Sequence, residues 1–155
     1  MQSKQVDPVI DESMGLKGRD MRVGLLEDDV AIQEMLFLVL QDEGYSVVNF
    51  SDAEACLATF KQQSSDMEGV PEPVDLIIVD WRLNGPMSGI EVIRQIRELD
   101  EFATLPVILT TAATFSDTEE LQQMHVALLE KPFSVDDMAT LVKELITAAS
   151  RDQAS

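Results

Sequence analysis

Apolar and polar residues come in short blocks along this chain, and the spacing inside the blocks switches repeatedly between two kinds. Residues 22–26 (RVGLL) are an apolar run without helical spacing, ending in three acids, Glu27, Asp28 and Asp29. That run predicts a buried strand. Over 30–43, Ile32, Met35, Leu36, Val39 and Leu40 fall at i, i+3, i+4, i+7 and i+8, the single stripe of an amphipathic helix. Gly44 follows in the C-terminal cap position. YSVVNF predicts a second strand. SDAE at 51–54 has the form of a capping box and opens a helix to about residue 62. The stretch 62–73 is polar and turn-rich, a surface loop. VDLIIVD at 74–80 is nearly all apolar, as in a strand buried on both faces.

WRLNGPMSG then reads as a loop. A helix over 89–99 turns Val92, Ile93, Ile96 and Leu99 inward. LPVILT is a fourth strand. SDTE at 116–119 repeats the capping pattern before a short helix to about residue 124, and VALLE at 126–130 is a fifth strand. SVDD opens a last helix with Val135, Met138, Leu141, Val142, Leu145 and Ile146 in its stripe. Apolar strands alternating with amphipathic helices imply an α/β fold: parallel strands, right-handed crossovers and helices on both faces of the sheet. The first 20 residues are polar and aperiodic, with Pro8, Gly15 and Gly18, and read as a flexible tail. One domain is expected over 21–149, with 150–155 a C-terminal tail.

Composition narrows the class. The 155 residues are 45% hydrophobic and 26% charged, a mixture that can bury a core as one domain. No apolar run is long enough to cross a bilayer, and the first residues lack the apolar core of a secretion signal, so a cytoplasmic location without membrane contact is expected. The single cysteine, Cys56, reads as apolar filler on a helix. A net charge of −18 leaves no basic patch for phosphates, which argues against nucleic acid.

In open parallel sheets, chemistry gathers outside the carboxyl ends of the strands. Those ends carry Glu27, Asp28 and Asp29, then Asp80, then Thr110 and Thr111, then Glu130, Lys131 and Pro132. Clustered carboxylates raise one another's pKa or take up a cation. An oxygen-rich set with few ligands suits Mg²⁺. With the charge beside it neutralised, Asp80 could act as a nucleophile toward phosphorus, and Lys131 could stabilise the moving phosphoryl group. Asp29 fits a helix cap. Thr110 reads as structural, His125 as a helix-end residue, and Trp81 as a partly exposed ring at the edge of the site.

The set LLEDD, LIIVDWRL, PVILTTA and EKPF, at the ends of strands one, three, four and five in that order, resembles the receiver domain of two-component response regulators. The resemblance covers 21–149 and implies a doubly wound, flavodoxin-like five-stranded parallel sheet in strand order 2-1-3-4-5. It implies that Asp80 is the phosphoacceptor, with Glu27, Asp28, Asp80 and the backbone carbonyl of Arg82 around Mg²⁺. Thr111 would be the switch hydroxyl and Lys131, before a cis Pro132, the phosphate contact. The implied partners are a histidine kinase or histidine phosphotransfer protein and a downstream protein target. A homodimer through the helix 4–strand 5–helix 5 face is the self-association it allows. The chain would then be a signalling phosphoacceptor with slow self-dephosphorylation, not an enzyme, either standing alone or part of a longer protein.

This sequence departs from the family pattern in several places. The loops at 62–73 and after Asp80 are long, and the stretch from Thr111 to Lys131 is short. Leu128 stands where an aromatic ring is usual, so an aromatic switch coupled to Thr111 cannot operate. The resemblance implies that Arg82 and Ala113 flank the path of hydrolytic water. Among rivals, a haloacid-dehalogenase-like phosphatase needs an acid two residues after its nucleophile, where this chain has Arg82. A flavin module would not place three acids in its phosphate loop. The competing reading is a degenerate receiver that binds proteins without phosphorylation.

Overall fold

The computed structural model describes residues 21–64, 74–112 and 118–154. Within them the apolar runs form β1 (Arg22–Leu26), β2 (Ser46–Asn49), β3 (Leu76–Asp80), β4 (Val107–Thr111) and β5 (Val126–Glu130). All neighbours pair in parallel, in the order β2-β1-β3-β4-β5. The helices are α1 (Val30–Asp42), α2 (Ala53–Ser64), α3 (Gly89–Arg97), α4 (Thr118–Gln123) and α5 (Val135–Ala154). This is the doubly wound, flavodoxin-like sheet with order 2-1-3-4-5.

Strand alternation divides the core in two. Leu26, Ile77, Val79, Val107 and Leu109 face α2, α3 and α4. Val23, Leu25, Leu76, Ile78 and Ile108 face α1 and α5, where Leu36, Leu40, Met138, Val142 and Ile146 meet them. Both faces of β3 and β4 are fully covered, which is why their sequences are apolar without interruption. Cys56 is buried in the first cluster, and burial pushes its thiol up to about 12, so it stays protonated filler.

Helix ends show where local chemistry overrides a pattern. Asp29 caps α1, its side chain accepting the Ile32 N–H at 3.1 Å. Asp52, not Ser51, caps α2, accepting the Ala55 N–H at 2.7 Å. Ser134 caps α5 reciprocally with Asp137. α3 stops at Arg97 rather than 99, because a 3-10 turn at Asp100–Phe102 follows it. That turn swings Phe102 into the core, edge-on to Phe60 with centroids 4.8 Å apart. α5 continues to Ala154, past the expected end at 149, through a stretch free of Gly and Pro. His125 takes a left-handed φ of 59° just after α4. Among the described residues no helix is long and apolar enough to cross a membrane. The expected tail at 1–20, nearly all of the 62–73 loop, Ala113 and the start of the SDTE cap lie outside the described residues.

Candidate functional site

Because the strands are parallel, their carboxyl ends share one edge of the sheet. Asp80, the last residue of β3, pairs in register with Thr110 of β4, and Thr111 pairs with Glu130 of β5. Glu27 follows β1 directly and Lys131 follows β5. A cavity of about 560 Å³ opens at this edge, lined by Asp28, Asp80, Trp81, Arg82, Ala112 and Lys131 among others.

Glu27 and Asp80 are both buried, at 4% and 6% exposure, and lie close enough to share a hydrogen bond. Two carboxylates can do that only if one keeps a proton. Burial first, then Asp80, raises the Glu27 carboxyl to about 7, while the Asp29 N–H and Lys131 pull it back. Its Oε1 has no hydrogen-bond donor. The Lys131 ammonium sits between the two acids, 3.2 Å from Asp80 Oδ1 and 3.7 Å from Glu27 Oε1. The Lys131–Pro132 bond is cis, and the Lys131 N–H donates to the Thr111 carbonyl at 2.6 Å.

Asp28 lines the cavity with its carboxylate accepting the backbone N–H of Asn84, from the loop after β3. Gly85 makes that loop's turn at φ 99°, a conformation that favours glycine. The Arg82 N–H points to Asp80 Oδ1 at 3.4 Å, and the exposed Arg82 side chain lines the cavity mouth. Trp81 is half-buried, one side against the core and one on the cavity. Thr111 is buried at the end of β4 and is not among the lining residues. The structure therefore gathers Asp28, Asp80, Arg82 and Lys131 around one cavity, with Glu27 beside Asp80 and Thr111 at the adjoining strand end.

Among the described residues no three acidic, histidine or cysteine side chains converge into a ready metal cage. The donors still suit a hard cation. They are carboxylate and carbonyl oxygens, one buried oxygen of Glu27 lacks a donor, and a single ammonium serves two acids. Mg²⁺ commonly uses one or two carboxylates and fills its remaining positions with water and phosphate oxygens.

Sequence reasoning missed two contributors. One is the Asn84 N–H, a backbone group without a sequence signature. The other is the close approach of Gly89 to the Asp80 backbone; the start of α3 at 89 is as the sequence predicts, and Ser88 caps it by accepting the Glu91 N–H at 3.3 Å. Gly89 is required there, since an added Cβ would stand 2.3 Å from the Asp80 carbonyl oxygen. Gly89→Ala is expected to destabilise the fold by about 2 kcal/mol through overpacking against rigid backbone, read by urea unfolding. An unchanged midpoint would show that α3 can move away from β3 freely.

The family model of the response regulator receiver domain matches residues 23–143. The chain is 26% identical over 136 residues to the alkaline phosphatase synthesis transcriptional regulatory protein SphR of Synechococcus elongatus, covering 86% of this chain and 51% of that one. It is 29% identical over 131 residues to the phosphate regulon transcriptional regulatory protein PhoB of Rhizobium meliloti, covering 83% and 53%. The chain thus spans about half the length of these relatives. Among solved structures, a response regulator receiver protein from Pseudomonas putida is similar at a TM-score of 0.68 and 25% identity, covering 82% of this chain and 98% of that one. A CheY-like receiver domain from Methanospirillum hungatei shares the fold at a TM-score of 0.73 and 21% identity, covering 86% and 99%.

Proposed function

Because the chain belongs to the response regulator receiver domain family of two-component signalling, we propose that Asp80 accepts a phosphoryl group from a histidine kinase or histidine phosphotransfer protein, with Mg²⁺ as cofactor. The observation that carries this reading is the Asp80 carboxylate, set on the cavity wall with the Lys131 ammonium 3.2 Å away. An Asp80 oxygen attacks phosphorus, the P–N bond to the donor imidazole breaks, and an acyl phosphate forms. Lys131 holds a positive charge where phosphoryl charge accumulates. Thr111 supplies a hydroxyl to the new phosphate oxygens. Bound by Asp28, Asp80, the Arg82 carbonyl and the second-line acid Glu27, Mg²⁺ would neutralise charge on the transferred group.

The phosphorylated edge is then read by a downstream protein, with a second copy docking through α4, β5 and α5 as one route. The relatives are named transcriptional regulatory proteins. With a net charge of −18, this chain's own contribution to such an output is protein contact rather than phosphate-backbone binding.

Incubation with acetyl phosphate and Mg²⁺, followed by intact mass measurement, is expected to show one added phosphoryl group. Asp80→Asn should show none, and omission of Mg²⁺ should suppress it. A wild-type mass that never changes would leave the degenerate, phosphorylation-independent receiver as the better reading. The acyl phosphate is expected to be long-lived, because Arg82 stands at the cavity mouth where water must enter. Arg82→Ala should shorten its half-life severalfold in a mass time course, and an unaltered half-life would remove Arg82 from this role.

A further inference from the structure

We propose that α3 is the arm through which the state of Asp80 reaches α4, and that Arg97 is the grip at its far end. The first part of this rests on Asp80 being the phosphoacceptor; the grip does not. Within the described residues α4 spans six positions, Thr118–Gln123. A helix that short has no independent stability. Among its described residues Leu121 is the buried hydrophobic one it adds to the core, so their apolar packing alone holds it weakly.

Two arginines of α3 supply the rest. Arg97 is half-buried and reaches three carbonyls: Met124 at 2.8 Å, His125 at 3.3 Å and Phe102 at 2.8 Å. It thereby ties the C-terminal end of α4 and the left-handed turn at His125 to the 3-10 turn. Charge-assisted bonds from one planar fork to several carbonyls are strong and geometrically exacting. Arg94 grips Glu120 with two bonds, at 2.7 and 3.1 Å, but in solvent, where such pairs contribute little. Arg97 is therefore the principal hold.

The near end of α3 is fixed just as closely to the phosphoacceptor. Gly89 lies against the Asp80 carbonyl, and its N–H donates to the Trp81 carbonyl at 3.0 Å. Between the ends, Ile90, Val92, Ile93 and Ile96 are buried, so the helix moves as one body. The alternative route through β5 is poor: Leu128 is 36% exposed and has no ring to swing inward. A shift of the Asp80–Arg82 backbone around a phosphoryl group would therefore be passed through α3 to α4.

Hydrogen exchange and fluorescence on the full chain test both parts. Without ligand, Arg97→Ala and Arg97→Lys are expected to speed amide exchange over 118–125 at least tenfold while β1 amides keep their protection. The lysine variant guards against misfolding and cannot span three carbonyls. Arg94→Ala should change exchange less than threefold. Unchanged protection in Arg97→Lys overturns the grip. With beryllium fluoride and Mg²⁺, the sole tryptophan, Trp81, reports the site directly. The Trp81 response should persist in Arg97→Lys, while the change in α4 exchange falls at least threefold relative to wild type. An undiminished α4 response overturns the arm. A wild type with no Trp81 response and no phosphoryl mass gain fails the phosphoacceptor reading, and the arm falls with it, while the ligand-free exchange still decides the grip.

Discussion

Lys131→Met is expected to cost about 3 kcal/mol of stability in metal-free protein at pH 7.5, the scale set by stranding buried charge without its partner. Methionine keeps most of the stem's volume and removes only the charge. Two buried acids within hydrogen-bonding reach then face each other with no ammonium between them. The loss should shrink by about 0.8 kcal/mol at pH 5, because Glu27, raised to about 7, is ionised at pH 7.5 and protonated at pH 5, where the pair holds one charge fewer. Adding Asp80→Asn should recover most of the loss at pH 7.5, because the repulsion it relieves is the one that Lys131 offsets. Phosphorylation by acetyl phosphate should slow about a hundredfold, as for loss of a positioned group facing developing charge. Urea unfolding at the two pH values reads the first effect and intact mass against time the second. A cost that is equal at pH 5 and 7.5 would mean that Lys131 acts through packing, not charge.

The sheet was legible because its signal is redundant. Each strand is both a short apolar run and the end of a loop, and each long helix carries a stripe at 3.6-residue spacing, so the errors fall at the ends. There the deciding contacts come from outside the element. The choice of Asp52 over Ser51 as cap depends on which oxygen reaches the Ala55 N–H. The early stop of α3 depends on Phe102 finding Phe60, a contact across more than 40 positions of chain.

The site was legible for a different reason. Parallel topology alone carries residues distant in sequence to one edge, so naming the strand ends also named Asp80, Lys131 and the acids after β1. What the side chains do to each other was less legible. Sequence sets Asp29 apart as a helix cap but does not tell how the surroundings of Glu27 and Asp28 differ, whereas the structure gives the three acids three jobs. Asp29 caps α1, Asp28 takes a loop N–H at the cavity, and Glu27 is buried beside Asp80. Burial separates them, and burial depends on the whole fold. The contacts of the α3 arginines with α4 and the turn after it were invisible for the same reason, since those partners are backbone carbonyls or a side chain 26 positions away.

The buried state of Glu27 has a measurable consequence. In metal-free protein, stability is expected to fall as pH rises from about 4.5 to above 7. The folded state holds a proton on Glu27 up to about 7, whereas the unfolded chain releases it near 4.5. Over that window the folded state binds the extra proton, so raising the pH favours unfolding. The contribution is complete below the lower value and gone above the upper one, on the order of 2 kcal/mol in all. Self-repulsion in a chain of net charge −18 adds a slope of the same sign. Glu27→Gln separates the two, because glutamine keeps the shape and cannot ionise. The difference between wild type and Glu27→Gln should therefore drift against wild type across this window and flatten above it. Millimolar Mg²⁺ should raise the melting temperature more at pH 8 than at pH 5, since a cation needs the ionised carboxylates and competes with the proton. Parallel pH profiles for the two proteins would mean that Glu27 is ionised throughout, and that Lys131 alone is enough to hold both acids charged.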